Sequence, residues 1–249
     1  MSKNKAYFVL IRGLLREQRH WGEFNPLLAQ QFPDAEIVTL DIPGNGNLHQ
    51  ETSPNTIAGL TEALRVQLEG KKNIHLIAIS MGGMIAIDWM NRHPLEINSA
   101  VLINTSVRPY SPFFQRLRWQ NYPRLVSMLF KSAEQREQDI LALTSNLHQK
   151  DARLLATWQK WRAQYPVSKI SAINQLQAAA QFLAANKPAH PLLIISAKND
   201  RLVDYRCSVA LHKAWHCDYL QHESAGHDLP LDNPKWLTQA IEKWLATNN

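Results

Sequence analysis

Three side chains in this sequence could act together: a serine, an aspartate and a histidine, met in that order. Ser80 lies in Ala78-Ile79-Ser80-Met81-Gly82, with a small residue two positions to either side. A serine hydroxyl is a weak nucleophile until a base accepts its proton, and the usual base is an imidazole oriented by a carboxylate. Asp200, in Ser196-Ala197-Lys198-Asn199-Asp200-Arg201-Leu202-Val203, supplies the acid. His227, in Ser224-Ala225-Gly226-His227-Asp228, supplies the base. Asp204 and Asp228 are the rival acids. Asp204 comes one helical turn after Asp200. Asp228 directly follows the base, which turns its side chain elsewhere.

The elements around these residues fit that chemistry. The apolar run from Ile74 to Ile79 reads as a buried strand, and helical periodicity resumes at Met84. A strand, a sharp turn with serine at its apex and a helix force the hydroxyl out above the sheet. Small flanks are required because strand and helix nearly touch there. A glycine-rich turn without chemistry would carry the same short motif. Strands are expected at Ala6–Arg12, Glu36–Asp41, Asn73–Ile79, Ser99–Asn104, Pro191–Ala197 and Cys217–His222. Helices are expected near His20–Gln31, Pro54–Leu68, Met81–Arg92, Tyr205–Trp215 and Pro234–Thr247. Asn233-Pro234 reads as a cap with proline at the first helical position, and Gly70 as a helix stop. Strands alternating with helices imply a parallel sheet, and Asp200 and His227 both follow strands, at the edge where ligands gather.

Between Thr105 and Ala189 the strand pattern vanishes and the chain reads as a helical insertion. The chain holds 27 Lys and Arg against 21 Asp and Glu. From Ser106 to Ala189 there are 12 of those cations and 4 of the acids, so the basic excess belongs to the insertion. Arg108, Arg116, Arg118, Arg124 and Lys131 cluster in its first half. Such charge either solvates a helix face or steers an acidic partner. With 249 residues, 45% of them apolar, the chain can build one large core. No apolar run is long enough to span a membrane, and Met1–Lys5 leads only into Tyr7–Ile11, too short for a signal peptide. Two cysteines, Cys207 and Cys217, make no disulfide framework, and the ten histidines show no metal-ligand spacing. A cytoplasmic protein without metal or cofactor, and without nucleic acid as a partner, is expected.

Together these motifs resemble the α/β-hydrolase superfamily, in its small capped esterase branch, near the biotin-pathway carboxylesterase and menaquinone-pathway hydrolase-like relatives. The order Ser80, Asp200, His227 is that family's order. Asp41-Ile42-Pro43-Gly44-Asn45-Gly46, Asp200-Arg201-Leu202-Val203 and Gly226-His227 with Pro234 downstream are similar to its recurrent turns. The likeness covers about Ala6–Thr105 and Pro188–Leu245. It implies a core of residues 1–105 and 190–249 with a helical cap at 106–189. Because the first strand begins almost at the start, a reduced sheet of about six parallel strands is expected.

The resemblance also implies an oxyanion hole from the backbone N–H groups of Leu14 and Met81. The family's His-Gly-x loop is Arg12-Gly13-Leu14 here, and Arg12 is either structural or a binder of an acidic substrate group. Where some relatives carry the acid after the next strand, this chain has the uncharged Asn104. Trp21 reads as packing. Trp119, Trp158, Trp161, Phe113, Phe114 and Phe130 are expected mostly as cap core, one or two of them lining the acyl pocket. The implied activity is hydrolysis of a carboxylic ester through an acyl-enzyme. A thioester or carrier-bound acyl ester, presented by an acidic acyl carrier, is the nearest alternative. A lyase built on the same triad, or a non-catalytic binding protein, is the alternative of another class.

Overall fold

Six strands form among the described residues: β1 (Tyr7–Ile11), β2 (Glu36–Leu40), β3 (Ile74–Ile79), β4 (Ile97–Ile103), β5 (Leu192–Ala197) and β6 (Asp218–His222); the four central ones are largely buried and rich in Ile, Val and Leu, while the edge strands β2 and β6 are half-exposed. In the computed structural model, which describes residues 5–248 except Glu69, Leu129 and Ala185, they pair in one parallel sheet of order β2-β1-β3-β4-β5-β6. The N-terminal stretch Met1–Asn4 lies outside the described residues. The sheet is the six-stranded parallel one that the sequence implies. Its order reverses between β1 and β3, and such a switch point opens a crevice beyond the carboxyl ends of the strands.

Alternate strand residues feed two cores. Val9 and Ile11 of β1, with Ile74, Leu76 and Ala78 of β3, pack with α2 (Ile57–Gln67), α3 (Met81–Arg92) and α9 (Arg206–Trp215). Phe8, Leu10, Ile77 and Ile79 face the other way, onto α1 (Phe24–Gln31) and α11 (Pro234–Asn248). This two-sided cover makes the central strands β1, β3, β4 and β5 near-continuous apolar runs, whereas the edge strand β6 alternates.

Several boundaries differ from the sequence reading for local reasons. The helix expected from His20 is two pieces. Glu17 caps a short 3-10 turn at Gln18–Trp21, and α1 starts afresh at Phe24. Helix α2 begins at Ile57 because the Thr56 hydroxyl accepts from the Gly59 amide, 3.1 Å away. Asn233 Oδ1 accepts from the Trp236 amide at 3.2 Å and caps α11. A short helix, α10 (Leu229–Asp232), was not foreseen.

Among the described residues between β4 and β5 lie five α-helices, α4 (Phe113–Arg116), α5 (Tyr122–Met128), α6 (Ala133–Thr144), α7 (Ala152–Gln164) and α8 (Lys169–Gln181), with a 3-10 turn at Trp119–Asn121. They are tied to the sheet's carboxyl edge by polar contacts. Gln175 Nε2 donates to Asn45 Oδ1 and Ser53 Oγ, both at 2.8 Å, and Arg16 pairs with Glu137 at 2.7 Å. The large apolar residues here depart from expectation. Trp158 is buried, but Phe113, Phe114, Trp119 and Phe130 are exposed, Phe130 at 87%. Short helices over a crevice leave these rings too little neighbouring structure to bury them. No helix among the described residues is long and apolar enough to cross a membrane.

Candidate active site

The turn after β3 carries the first functional side chain. Ser80 sits at φ 58°, ψ −121°, a conformation unfavourable for a residue with a side chain. Its amide donates to Ile103 O at 2.9 Å, which fixes the turn to the neighbouring strand. Close packing explains the small residues. A Cβ on Gly82 would stand 2.4 Å from the carbonyl oxygen of Ile11, so α3 can start only where that position is bare. A Cβ on Gly13 would meet the Ser80 Cβ at 3.0 Å, which places the loop after β1 directly against the serine.

The second element is the loop after β5. Asp200, 1% exposed, accepts the Leu202 and Val203 amides on Oδ1 at 2.8 and 2.9 Å. Its other oxygen, Oδ2, accepts from His227 Nδ1 at 2.7 Å. Two backbone donors and one imidazole thus fix the carboxylate. That bond leaves Nε2 of His227 free to accept a proton.

The loop carrying His227 is held from several sides. Gly226 N donates to Asp232 Oδ2 at 2.6 Å, and Asp228 N to Thr144 O at 2.8 Å. Asn104 adds a bracket that the sequence did not disclose. Its Nδ2 donates to His227 O and its Oδ1 accepts the Ala197 amide, each at 2.7 Å. One uncharged side chain therefore joins the ends of β4 and β5 to the histidine loop. Its type is the only sequence signal, because an amide can donate and accept at once where a carboxylate cannot.

Neither rival acid meets His227. Asp204 is engaged by Arg206, at 2.5 Å in their ion pair, and this guanidinium holds its carboxyl below the usual range. Asp228 takes both Arg12 amino groups, at 2.6 and 3.0 Å, with both side chains buried. Of the two readings of Arg12, the structure displays the structural one. The guanidinium also lies 5.0 Å from the ring centroid of Trp21, itself buried in the core.

Ser80 stands where two cavities meet. A smaller one of about 190 Å³ is lined by Arg12, Gly13, Leu14, Ser80, His227 and Asp228, and roofed by Leu125, Met128, Ile140 and Leu143 of the helical segment. A larger one of about 770 Å³ opens past Met81, Met84, Phe113, Leu117, Leu176 and Leu202. Leu14 lines both. Among the described residues, the amides of Leu14 and Met81 have no protein acceptor. No three His, Cys, Asp or Glu side chains among them are grouped to hold a metal.

The basic cluster of the helical segment is not the free surface that its sequence suggests. Arg124 and Lys131 both grip Asp139, at 2.9 and 2.6 Å. Arg118 donates to Asp200 O at 2.9 Å, and Arg116 to Ala179 O at 2.6 Å. Four of the five cations of the cluster are thus held to oxygens of the protein, Arg124 and Lys131 while about one third exposed.

A family model for the alpha/beta hydrolase fold matches residues 7–234. The chain belongs to the α/β-hydrolase family. Among relatives of this hydrolase, the biotin biosynthesis bifunctional protein BioHC of Teredinibacter turnerae is 23% identical over 97% of the chain. The hydrolase spans only 45% of that protein's length. The monoacylglycerol lipase abhd6-A of Xenopus laevis is 22% identical, over 98% of the chain and 76% of the lipase. In structure the hydrolase is similar to the putative non-heme bromoperoxidase BpoC of Mycobacterium tuberculosis H37Rv, at a TM-score of 0.77 and 20% identity, covering 98% of this chain and 93% of the other.

Proposed function

We propose that this hydrolase cleaves a carboxylic ester through an acyl-enzyme on Ser80. The observation that carries the reading is the 2.7 Å bond from His227 to a buried Asp200, on a loop that shares the Ser80 cavity. In the proposed cycle His227 Nε2 takes the Ser80 proton while Oγ forms a bond to the acyl carbon. The tetrahedral oxyanion lies against the amides of Leu14 and Met81, whose lack of protein acceptors suits them to that role. Collapse breaks the ester C–O bond, and His227 returns the proton to the departing alcohol. Water, deprotonated by the same imidazole, then releases the acid and regenerates the serine. Asp200 keeps the proton of neutral His227 on Nδ1 and stabilises the imidazolium. The lipase relative acts on an ester by name, which supports the substrate class.

A fluorophosphonate probe and p-nitrophenyl butyrate test this reading. Labelling confined to Ser80, with turnover lowered about 10⁴–10⁶-fold in Ser80→Ala and His227→Ala, is the expected result. An unlabelled Ser80 would point to a binding protein. Near wild-type turnover by Ser80→Ala would remove the serine from the mechanism.

A further inference from the structure

We propose that the larger cavity receives the anionic part of the ester substrate, a carboxylate or phosphate held by Arg108 and Arg116, while the rest of the substrate lies on apolar walls. This inference rests on the assignment of Ser80 as nucleophile. The cavity holds about 770 Å³, opens on Ser80, and is lined mainly by apolar side chains such as Met84, Phe113 and Leu176. Among the described residues that line it, Arg108 and Arg116 are the charged side chains, and no carboxylate joins them.

A guanidinium in an apolar wall costs free energy unless it is paired. The neighbouring cations are paired: Arg118, Arg124 and Lys131 each meet an oxygen of the protein. Arg116 is only partly satisfied. One amino group reaches Ala179 O at 2.6 Å, while Nε is buried and has no partner among the described residues. The exposed Arg108 side chain has no hydrogen bond or ion pair among them. The two charges also repel. Burial first, and then the charge of Arg108, lower the proton affinity of Arg116. A bound anion would supply a counter-charge for both guanidinium groups and relief of their repulsion. A neutral substrate would do none of these.

Matched pairs of esters test the proposal: mono-p-nitrophenyl suberate against p-nitrophenyl octanoate, and octanoylglycerol phosphate against octanoylglycerol. The readout is the ratio of kcat/KM, anionic over neutral, within each pair. The ratio should favour the anion in the wild type and fall about ten- to a hundred-fold in Arg108→Ala, as for loss of a charged hydrogen bond. Arg108→Lys should recover part of it. The pair with the larger ratio identifies carboxylate or phosphate as the source. Ratios near one in the wild type, or ratios unmoved by Arg108→Ala, overturn the proposal. Calorimetric titration with suberate and octyl phosphate reads the same contact without turnover, and weaker binding to Arg108→Ala is expected. Anion binding that depends on Arg108 in a protein that turns over no ester would sink the serine reading and the ester part of this one with it, leaving the anion contact alone. Turnover of every ester at a ratio that Arg108→Ala does not move would sink this one alone.

Discussion

Arg12 and Asp228 are 216 positions apart, yet they close one buried ion pair beside Ser80. Arg12 is on the loop after β1 whose Leu14 amide is the proposed oxyanion donor. Asp228 follows His227. The pair therefore couples the loop that would stabilise the oxyanion to the loop that carries the base. Removing one member of a buried pair leaves the other charge uncompensated, at a cost of about 3–5 kcal/mol. Arg12→Met and Asp228→Leu should each destabilise on that scale. The double variant should recover most of the loss, because apolar side chains can replace a buried pair without leaving a charge. Turnover should stay low in the double variant, since no bond then ties the two loops. Urea unfolding of the four proteins, with p-nitrophenyl butyrate rates beside it, separates these effects. Additive stabilities would show that the two charges do not depend on each other.

The strand–turn–helix element stores its cost at Ser80, whose positive φ is expensive for any residue with a Cβ. Strain of this kind amounts to about 1–3 kcal/mol. Ser80→Gly should therefore be more stable than Ser80→Ala by about that amount, while neither turns over ester. Equal unfolding midpoints for the two variants would show that the turn is relaxed. This element was legible in the sequence because close packing writes itself as small residues: Gly82 can be nothing larger beneath Ile11 O. The central strands were legible for a similar reason, since burial on both faces makes a near-continuous apolar run, as in β3 and β5. The meeting of Asp200 with His227 followed from their places after β5 and β6 once the sheet was taken as parallel. Asn104 and the Arg12–Asp228 pair were not legible, because each depends on which loops the fold brings side by side. The exposed rings of α4 and its surroundings misled for the opposite reason. Composition alone suggests a core where the segment is too thin to make one.

Across the whole molecule, the join between sheet and helical segment is polar and buried, and this makes stability depend on pH. His20 packs edge-on against Trp158 and Trp161 of α7, at 5.0 and 5.3 Å between ring centroids. Its Nε2 lies 3.2 Å from Arg16 Nη1, and its Nδ1 lies against the Glu17 backbone, 3.2 Å from O and 3.3 Å from N. Burial first, then the charges of Arg16 and Arg12, hold the His20 pKa well below its ordinary value. Burial lowers His75 and His222 in the same direction. Below about pH 6.5 the unfolded chain gains protons on these residues that the folded chain refuses. Stability should therefore fall as pH drops from about 7 through 6.5 toward the depressed folded values. Glu17 and Asp41 have the opposite sign: burial raises both, so the stability they cost returns as pH falls through their folded values. His20→Gln isolates the contribution of His20 from the rest. The amide can still accept from Arg16 but takes up no proton in either state. Melting temperatures of both proteins at intervals from about pH 7.5 to 5.5 should converge on the acid side, as the wild type loses the contribution that the variant lacks. Parallel curves over that range would show that the proton affinity of His20 is the same in the folded and unfolded chains, and that the polar join does not set the acid limit of the fold.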